Sequence, residues 1–266
     1  MNPETLPDNL PKILRESLPV LETRGVNRSF GAVEVACDIS LKLEPGARHA
    51  LIGPNGAGKT TFVNLLTGRL RPSSGKIFLC GEDITRLPAD RRVKRGIART
   101  FQLNTLLRNL TVLENVQLAV LETSGRAGRL LGGAGAQREA AETAFDLLEE
   151  LRIADHALTA VKDLSYGRQR LVEIAIALAL RPAVLLLDEP AAGVPPADSH
   201  LVFDTISALP ETISVLFVEH DMKLVFRFAR RISVLVQGRI LREGPPEEIA
   251  ADARVKEVYL GHRSHG

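Results

Sequence analysis

The sequence predicts an α/β fold with a parallel core sheet, an antiparallel β subdomain and a helical subdomain, and three observations carry that prediction. Residues 184–187 (Val-Leu-Leu-Leu) and 213–218 (Ile-Ser-Val-Leu-Phe-Val) are continuous apolar runs bounded by helical segments, the pattern of parallel strands covered on both faces. Residues 20–43 alternate instead, with a break at Ser29-Phe30-Gly31, which points to antiparallel strands. A Gly-rich loop over 53–58 joins a short apolar stretch to an apolar helical one, so a strand runs through a tight loop into a helix.

The remaining elements follow in order. Residues 47–52 read as a buried strand and 59–66 as a helix stopped near Gly68. Pro72-Ser-Ser-Gly75 is a turn into a further strand at 76–80. Thr111-Val-Leu-Glu114 has capping-box spacing and opens a helix through about 121. The Gly- and Arg-rich stretch 125–136 reads as a flexible connector. Helices at 137–153 and 165–180 complete the helical subdomain. A hairpin over 232–241 turns at Gln237-Gly238, and short helices start near Pro246 and Ala253.

Composition bounds the function. The 266 residues are 45% hydrophobic, enough for one large α/β domain or two small ones. A net charge of +2 and no Trp give little to attract or stack on nucleic acid. Cys37 and Cys80 lack CxxC spacing, which argues against a disulfide framework or a zinc site and fits a reducing cytosol. The most apolar stretch, 174–187, is broken at Arg181-Pro182, short of the roughly 20 residues a spanning helix needs. Pro3, Pro7, Pro11 and Pro19 punctuate the first twenty residues, which read as an extension and not a signal peptide.

The chemistry gathers where strands end. In Gly53-x4-Gly58-Lys59-Thr60 the glycines let backbone N–H groups converge on phosphate oxygens. Lys59 then reaches the β and γ phosphates, and the Thr60 hydroxyl is placed for Mg²⁺. Chance would give such a match in a chain of this length with odds on the order of one in a hundred. Asp188 ends an apolar strand, at the sheet edge where a carboxylate can hold Mg²⁺, and Glu189 follows to polarise an attacking water. Alone, Asp-Glu-Pro is an ordinary turn leading into a helix; downstream of a phosphate loop it is the stronger candidate for catalysis. His220 stands just past a third apolar strand, within reach of the γ-phosphate or Glu189. Gln102 either touches Mg²⁺ and the water or caps a loop. Ser165 and Gly167, in Leu164-Ser-Tyr-Gly-Arg-Gln169, open a long helix whose unpaired N–H groups favour an anion.

These five segments, in this order, resemble the nucleotide-binding subunit of an ATP-binding cassette (ABC) transporter over residues 21–241. The resemblance implies a RecA-like P-loop NTPase fold and hydrolysis of ATP with Mg²⁺. It makes Gly53, Pro54, Asn55, Gly56, Ala57, Gly58, Lys59 and Thr60 the Walker A loop, with Thr61 beside them, and 184–188 Walker B. Gln102 becomes the Q-loop residue, 164–169 the signature and His220 the switch histidine, while Phe30 falls where the family stacks an aromatic on adenine. Thr60, Gln102 and Asp188 are the implied metal residues; Glu189, His220, Lys59 and Gln102 are the implied catalytic ones. Two subunits would pair head to tail, with Ser165 and Gly167 of one capping the ATP held by Lys59 of the other.

Residues 1–20 are then an extension, 21–241 the ATPase domain with its helical part at about 103–180, and 242–266 a helical tail. The segments 96–102, 243–249 and 258–261, and Asp-Glu-Pro-Ala-Ala-Gly193, resemble importers of branched-chain or other hydrophobic amino acids. The implied partners are a second ATPase subunit, integral membrane permease subunits and, indirectly, an extracytoplasmic substrate-binding protein. The implied location is the cytoplasmic face of the inner membrane. Two residues depart from the family pattern: Arg168 replaces the usual signature glutamine, and Pro195 stands where Asp is common. A soluble ABC-type ATPase acting on DNA or ribosomes would usually carry two cassettes or a long coiled coil. A GTPase would show Asn-Lys-x-Asp, and the sequence contains none.

Overall fold

The computed structural model describes residues 18–100, 106–123 and 134–260. In chain order the first half gives β1 (Leu21–Phe30), β2 (Val33–Leu43), β3 (Arg48–Ile52), α1 (Lys59–Leu66), β4 (Ser74–Leu79), β5 (Glu82–Asp83), α2 (Ala89–Lys94) and β6 (Ile97–Arg99). The helical part follows as α3 (Val112–Thr123), α4 (Ala134–Glu150) and α5 (Tyr166–Ala179). The chain then returns through β7 (Val184–Asp188), α6 (Pro196–Ala208), β8 (Ser214–Val218), α7 (Met222–Phe228), β9 (Arg231–Val236) and β10 (Arg239–Gly244) to α8 (Pro246–Ala251) and α9 (Ala253–Leu260).

Two sheets form, as the two hydrophobic patterns predict. One is antiparallel, in the order β2-β1-β4-β5; the other runs β10-β9-β3-β8-β7-β6, parallel except for β10. Side-chain alternation sorts the apolar runs between two cores. Ala50, Ile52, Leu185, Leu187, Val215 and Phe217 join the cluster that holds α3, α4 and α5. Their neighbours Leu51, Val184, Leu186, Leu216 and Val218 join the cluster shared with α1 and the antiparallel sheet. Each fully buried Leu, Ile or Val here stabilises by roughly 1.5–3 kcal/mol, so charge on either face of β7 or β8 would be strongly destabilising. A buried polar chain ties the parallel sheet to its antiparallel edge. His49 Nε2 lies 2.8 Å from Ser233 Oγ, which donates to Glu243 Oε2 at 2.7 Å, and burial pushes His49 down to about 4.

Several boundaries differ from the sequence expectation for local reasons. The helix expected at 137–153 starts at Ala134 and ends at Glu150. Arg152 takes φ +57 there, and Ile153 N–H turns back to Leu148 O at 2.9 Å, a left-handed cap that ends the helix early. The capping box forms as expected: Glu114 N–H reaches Thr111 Oγ1 at 3.2 Å while Thr111 N–H reaches Glu114 Oε2 at 2.7 Å. The hairpin turns at Gln237 (φ +47) and Gly238 (φ +76), the double left-handed conformation that suits the strand twist.

Among the elements that went unforeseen are α2, the two-residue β5 and the edge strand β6. Three residues of β6 are too few to show a period, yet they place Arg99 beside Asp188. From α2 the buried Arg92 donates to the Leu65, Leu66, Thr85 and Leu87 carbonyls at 2.7–3.0 Å, fixing the C-terminal end of α1. Burial draws its pKa down to about 10, so it keeps its charge at neutral pH.

Candidate functional site

The loop between β3 and α1 is shaped by close backbone approach. A Cβ on Gly53 would lie 2.1 Å from Leu235 O, and one on Gly58 2.5 Å from Val35 O, with Gly58 at φ +102. Any side chain at either position would push β9 or β2 off the loop. Gly58 caps α1 without a side chain, and no acidic residue occupies the first turn. The N–H groups of that turn therefore lack the usual capping oxygen and suit an anion. Lys59 donates to Gly53 O at 2.7 Å and Pro54 O at 3.0 Å, so its ammonium lies across the loop mouth. Burial lowers its pKa, against the opposing pull of Glu189 and Asp188, which puts all three charges within one electrostatic neighbourhood. Thr60 is exposed at the same helix end, with Thr61 half-buried beside it.

The carboxylate edge comes from β7 and β8. Asp188 ends β7 and accepts from Arg99 Nη2 at 2.6 Å. Glu189 takes φ +49 while its N–H stays on Val218 O at 2.9 Å. A non-Gly residue held there costs on the order of 1–3 kcal/mol, and its side chain is 46% exposed. His220 Nδ1 lies 3.9 Å from Glu189 Oε1, the neighbourhood expected for it.

A carboxylate that sequence reasoning passed over holds this corner together. Glu219 is 1% exposed; Oε1 accepts from Ala191 N–H at 3.0 Å and Oε2 from His220 N–H at 3.0 Å. It thus ties the loop after Asp188 to the loop bearing His220. The available signal was an acidic residue directly after the apolar run of β8 and before His220.

Ser165 caps α5 by position, exposed and without using its hydroxyl for the helix. Gly167 is buried, and a Cβ on it would lie 2.8 Å from Asp198 Cβ. A Cβ on Gly193 would meet the Tyr166 hydroxyl at 3.2 Å, so the start of α5 packs on the loop that follows Glu189. Pro195 forms the N-cap of α6 and Arg168 is half-buried. Phe30 is 47% exposed, with the Arg28 guanidinium over one ring face at 4.6 Å. Gln102 lies outside the described residues, as do 1–17 of the extension and most of the 125–136 connector.

The C-terminal tail also reaches the site. Tyr259, on α9, packs on the core cluster, and its phenol is near enough to the Gly53 N–H for that group to oppose the rise in its pKa that burial causes. The residues present suit a nucleotide with a divalent cation: an uncapped helix start, an ammonium across the loop, an exposed hydroxyl and two carboxylates on one sheet edge.

Comparison with known proteins agrees with this geometry. Residues 36–192 match the family described as ABC transporter, and 239–265 match that described as branched-chain amino acid ATP-binding cassette transporter. The chain is similar to the high-affinity branched-chain amino acid transport ATP-binding protein BraF of Pseudomonas aeruginosa, with 40% identity over 92% of this chain and 99% of that one. Among solved structures it is similar to the ADP conformation of MJ1267, an ATP-binding cassette of an ABC transporter. The TM-score is 0.81 at 30% identity, covering 92% of this chain and 100% of that one. It also resembles the dimeric post-hydrolysis state of the cassette MJ0796 bound to ADP and Pi, with a TM-score of 0.69 at 25% identity over 85% and 98%.

Proposed function

The chain belongs to the ABC transporter family, and from that premise we propose that it powers import of branched-chain amino acids through separate permease subunits. As an ABC ATPase it binds and hydrolyses ATP. What supports the finer reading is the match of 239–265 to the branched-chain type, together with the likeness to BraF. No helix among the described residues is long and apolar enough to cross a membrane. The pathway for the amino acid must then lie in partner subunits, on whose cytoplasmic side this chain would sit. The division into a 1–20 extension, a 21–241 ATPase domain and a 242–266 tail belongs to the same proposal.

The observation that carries the chemistry is Glu189, held at positive φ just past β7, 3.9 Å from His220 and acting electrostatically on Lys59. In our reading Lys59 and the first-turn amides of α1 grip the β and γ phosphates, with Thr61 beside them. Glu189 accepts hydrogen from the attacking water, and His220 holds Glu189 and the γ-phosphate in register. Thr60 and Asp188, with Gln102, would hold Mg²⁺, which supplies charge neutralisation at the phosphates when bound. Phe30 offers its other ring face to adenine. Ser165 and Gly167 cap the triphosphate of a second copy, so the working unit is a head-to-tail dimer.

Calorimetry on the purified protein tests the first step. Wild type should release heat with MgADP, and Lys59→Ala should weaken binding by about tenfold or more, the loss of a charge-assisted contact. Equal isotherms for the two proteins would remove Lys59 from the site. Leucine uptake by proteoliposomes holding the protein with the membrane subunits that co-purify with it tests the substrate; uptake indifferent to ATP would refute it.

A further inference from the structure

Arg99 ends β6 three residues before Gln102 and grips two parts of the site at once. Its Nη2 donates to Asp188 Oδ2 at 2.6 Å and its Nη1 to Asn64 Oδ1 at 2.8 Å. The Arg99 side chain is 12% exposed and that of Asp188 22%, so the pair is only weakly screened by salt and its hydrogen bond is charge-assisted. Asn64 lies on α1, five residues after Lys59. One guanidinium therefore fastens the strand leading toward Gln102 both to the phosphate-loop helix and to the carboxylate at the end of β7.

We propose that Arg99 is the built-in counter-ion of Asp188 and that Mg²⁺ displaces it, so that metal loading releases one of the two ties on β6. The proposal rests on Asp188 being a metal residue of an ATP site. Mg²⁺ demands near-octahedral oxygen ligands at about 2.0–2.1 Å, which leaves little room for a guanidinium on the same carboxylate. A dication within a few ångströms also repels it directly. The bond to Asn64 gives Arg99 a place to stay when it leaves Asp188, so the strand is loosened on one side and kept on the other. Arg99 in this role is a positioning residue. It shields the incoming phosphates from Asp188 before the metal arrives, and afterwards it leaves β6 tied to α1 alone through Asn64.

The test is isothermal calorimetry of the full chain with ADP in EDTA and with ADP in excess MgCl2. Arg99→Met keeps the length of the stem and removes the charge. Without Arg99, Asp188 repels metal-free ADP unshielded, while Mg²⁺ no longer has a competitor. Metal-free ADP should bind several-fold more weakly and MgADP at least as tightly, so the ratio of the two Kd values should rise by about tenfold. Arg99→Lys, which keeps the charge but loses the fork, should give an intermediate ratio. In an Asp188→Asn background the Arg99→Met step should leave the ratio unchanged. A ratio equal to wild type in Arg99→Met, or the same increase with and without Asp188, would overturn the proposal and leave Arg99 a structural tie. Should Arg99→Met fail to fold by its thermal melt, the Arg99→Lys ratio decides in its place, an unchanged value again overturning the idea. Wild type binding neither form of ADP would be a different failure, that of the ATP site itself.

Discussion

At the phosphate-loop corner every group is set by the chain's own packing: Gly53 and Gly58 are pressed against β9 and β2, Lys59 spans two carbonyls, and Asp188 is paired with Arg99. At the signature corner the scaffold is equally firm, with Gly167 buried against Asp198 and Tyr166 packed on the loop at Gly193. Yet Ser165 at its tip is exposed, and its hydroxyl takes no part in capping its own helix. The first corner has what it needs to hold a nucleotide within one chain. In the proposed dimer, the second presents its helix start to the nucleotide held by another copy. A site divided as proposed would make hydrolysis depend on two chains meeting, because one corner binds the nucleotide and the other completes its enclosure.

The sharpest way to break this contrast is to disable one corner at a time and read two properties. Glu189→Gln removes the carboxylate but keeps its size, in the chain-owned half. Hydrolysis should fall by about 10²–10⁴-fold, as loss of a general base does, while ATP binding persists and closed dimers accumulate on size-exclusion chromatography. Hydrolysis at the wild-type rate would show that Glu189 is not the base. Ser165→Arg addresses the other half. Its bulk and charge at an exposed helix start should weaken ATP-driven dimerisation by about tenfold or more, in the range of an interface hot spot. Nucleotide binding by the single chain should stay close to wild type, since the Ser165 side chain is exposed and makes no hydrogen bond to its own helix cap. If both properties fall together, the two corners are not separable and the contrast fails.

How much of this could be read from the sequence follows the same division. The phosphate loop, the apolar runs of β7 and β8 and the acidic pair at 188–189 are local patterns, each a few residues long and governed by backbone geometry. They located Lys59 at the start of α1, Asp188 at the end of β7 and Glu189 directly after it. The apolar runs also announced that both sheet faces are covered, although only the alternation of Leu185 and Leu187 against Val184 and Leu186 assigns them to different cores. What stayed hidden were pairings between distant segments. Arg99 and Asp188 are 89 positions apart and share no motif. Glu219 works by accepting backbone N–H groups from two loops, which no residue pattern encodes. Arg152 ends a helix in a conformation that glycine usually supplies, so no stop signal was legible there and the predicted helix ran three residues too far.

Tyr259 offers the finest adjustment of the phosphate-loop corner, since it reaches Gly53 from the last described helix. Its burial pushes the phenol up to about 12, with the Gly53 N–H pulling the other way. A phenol whose folded pKa exceeds its unfolded value of about 10 favours the native state at lower pH. That contribution is fully present below pH 10 and is lost as the pH rises from about 10 toward 12. Near-ultraviolet absorbance should therefore show one of the two tyrosines titrating late, and Tyr259→Phe should abolish that late step while keeping the ring's packing. Without the hydroxyl, the polar group beside the Gly53 N–H is removed, and the loop should hold phosphate less firmly. The Kd for MgADP should rise by about 2–5-fold, well below the effect of Lys59→Ala, with no change in ATP-driven dimerisation beyond that. A Tyr259→Phe protein with unaltered affinity and an intact late titration would mean that the tail merely covers the core, and that the chain-owned corner is complete without it.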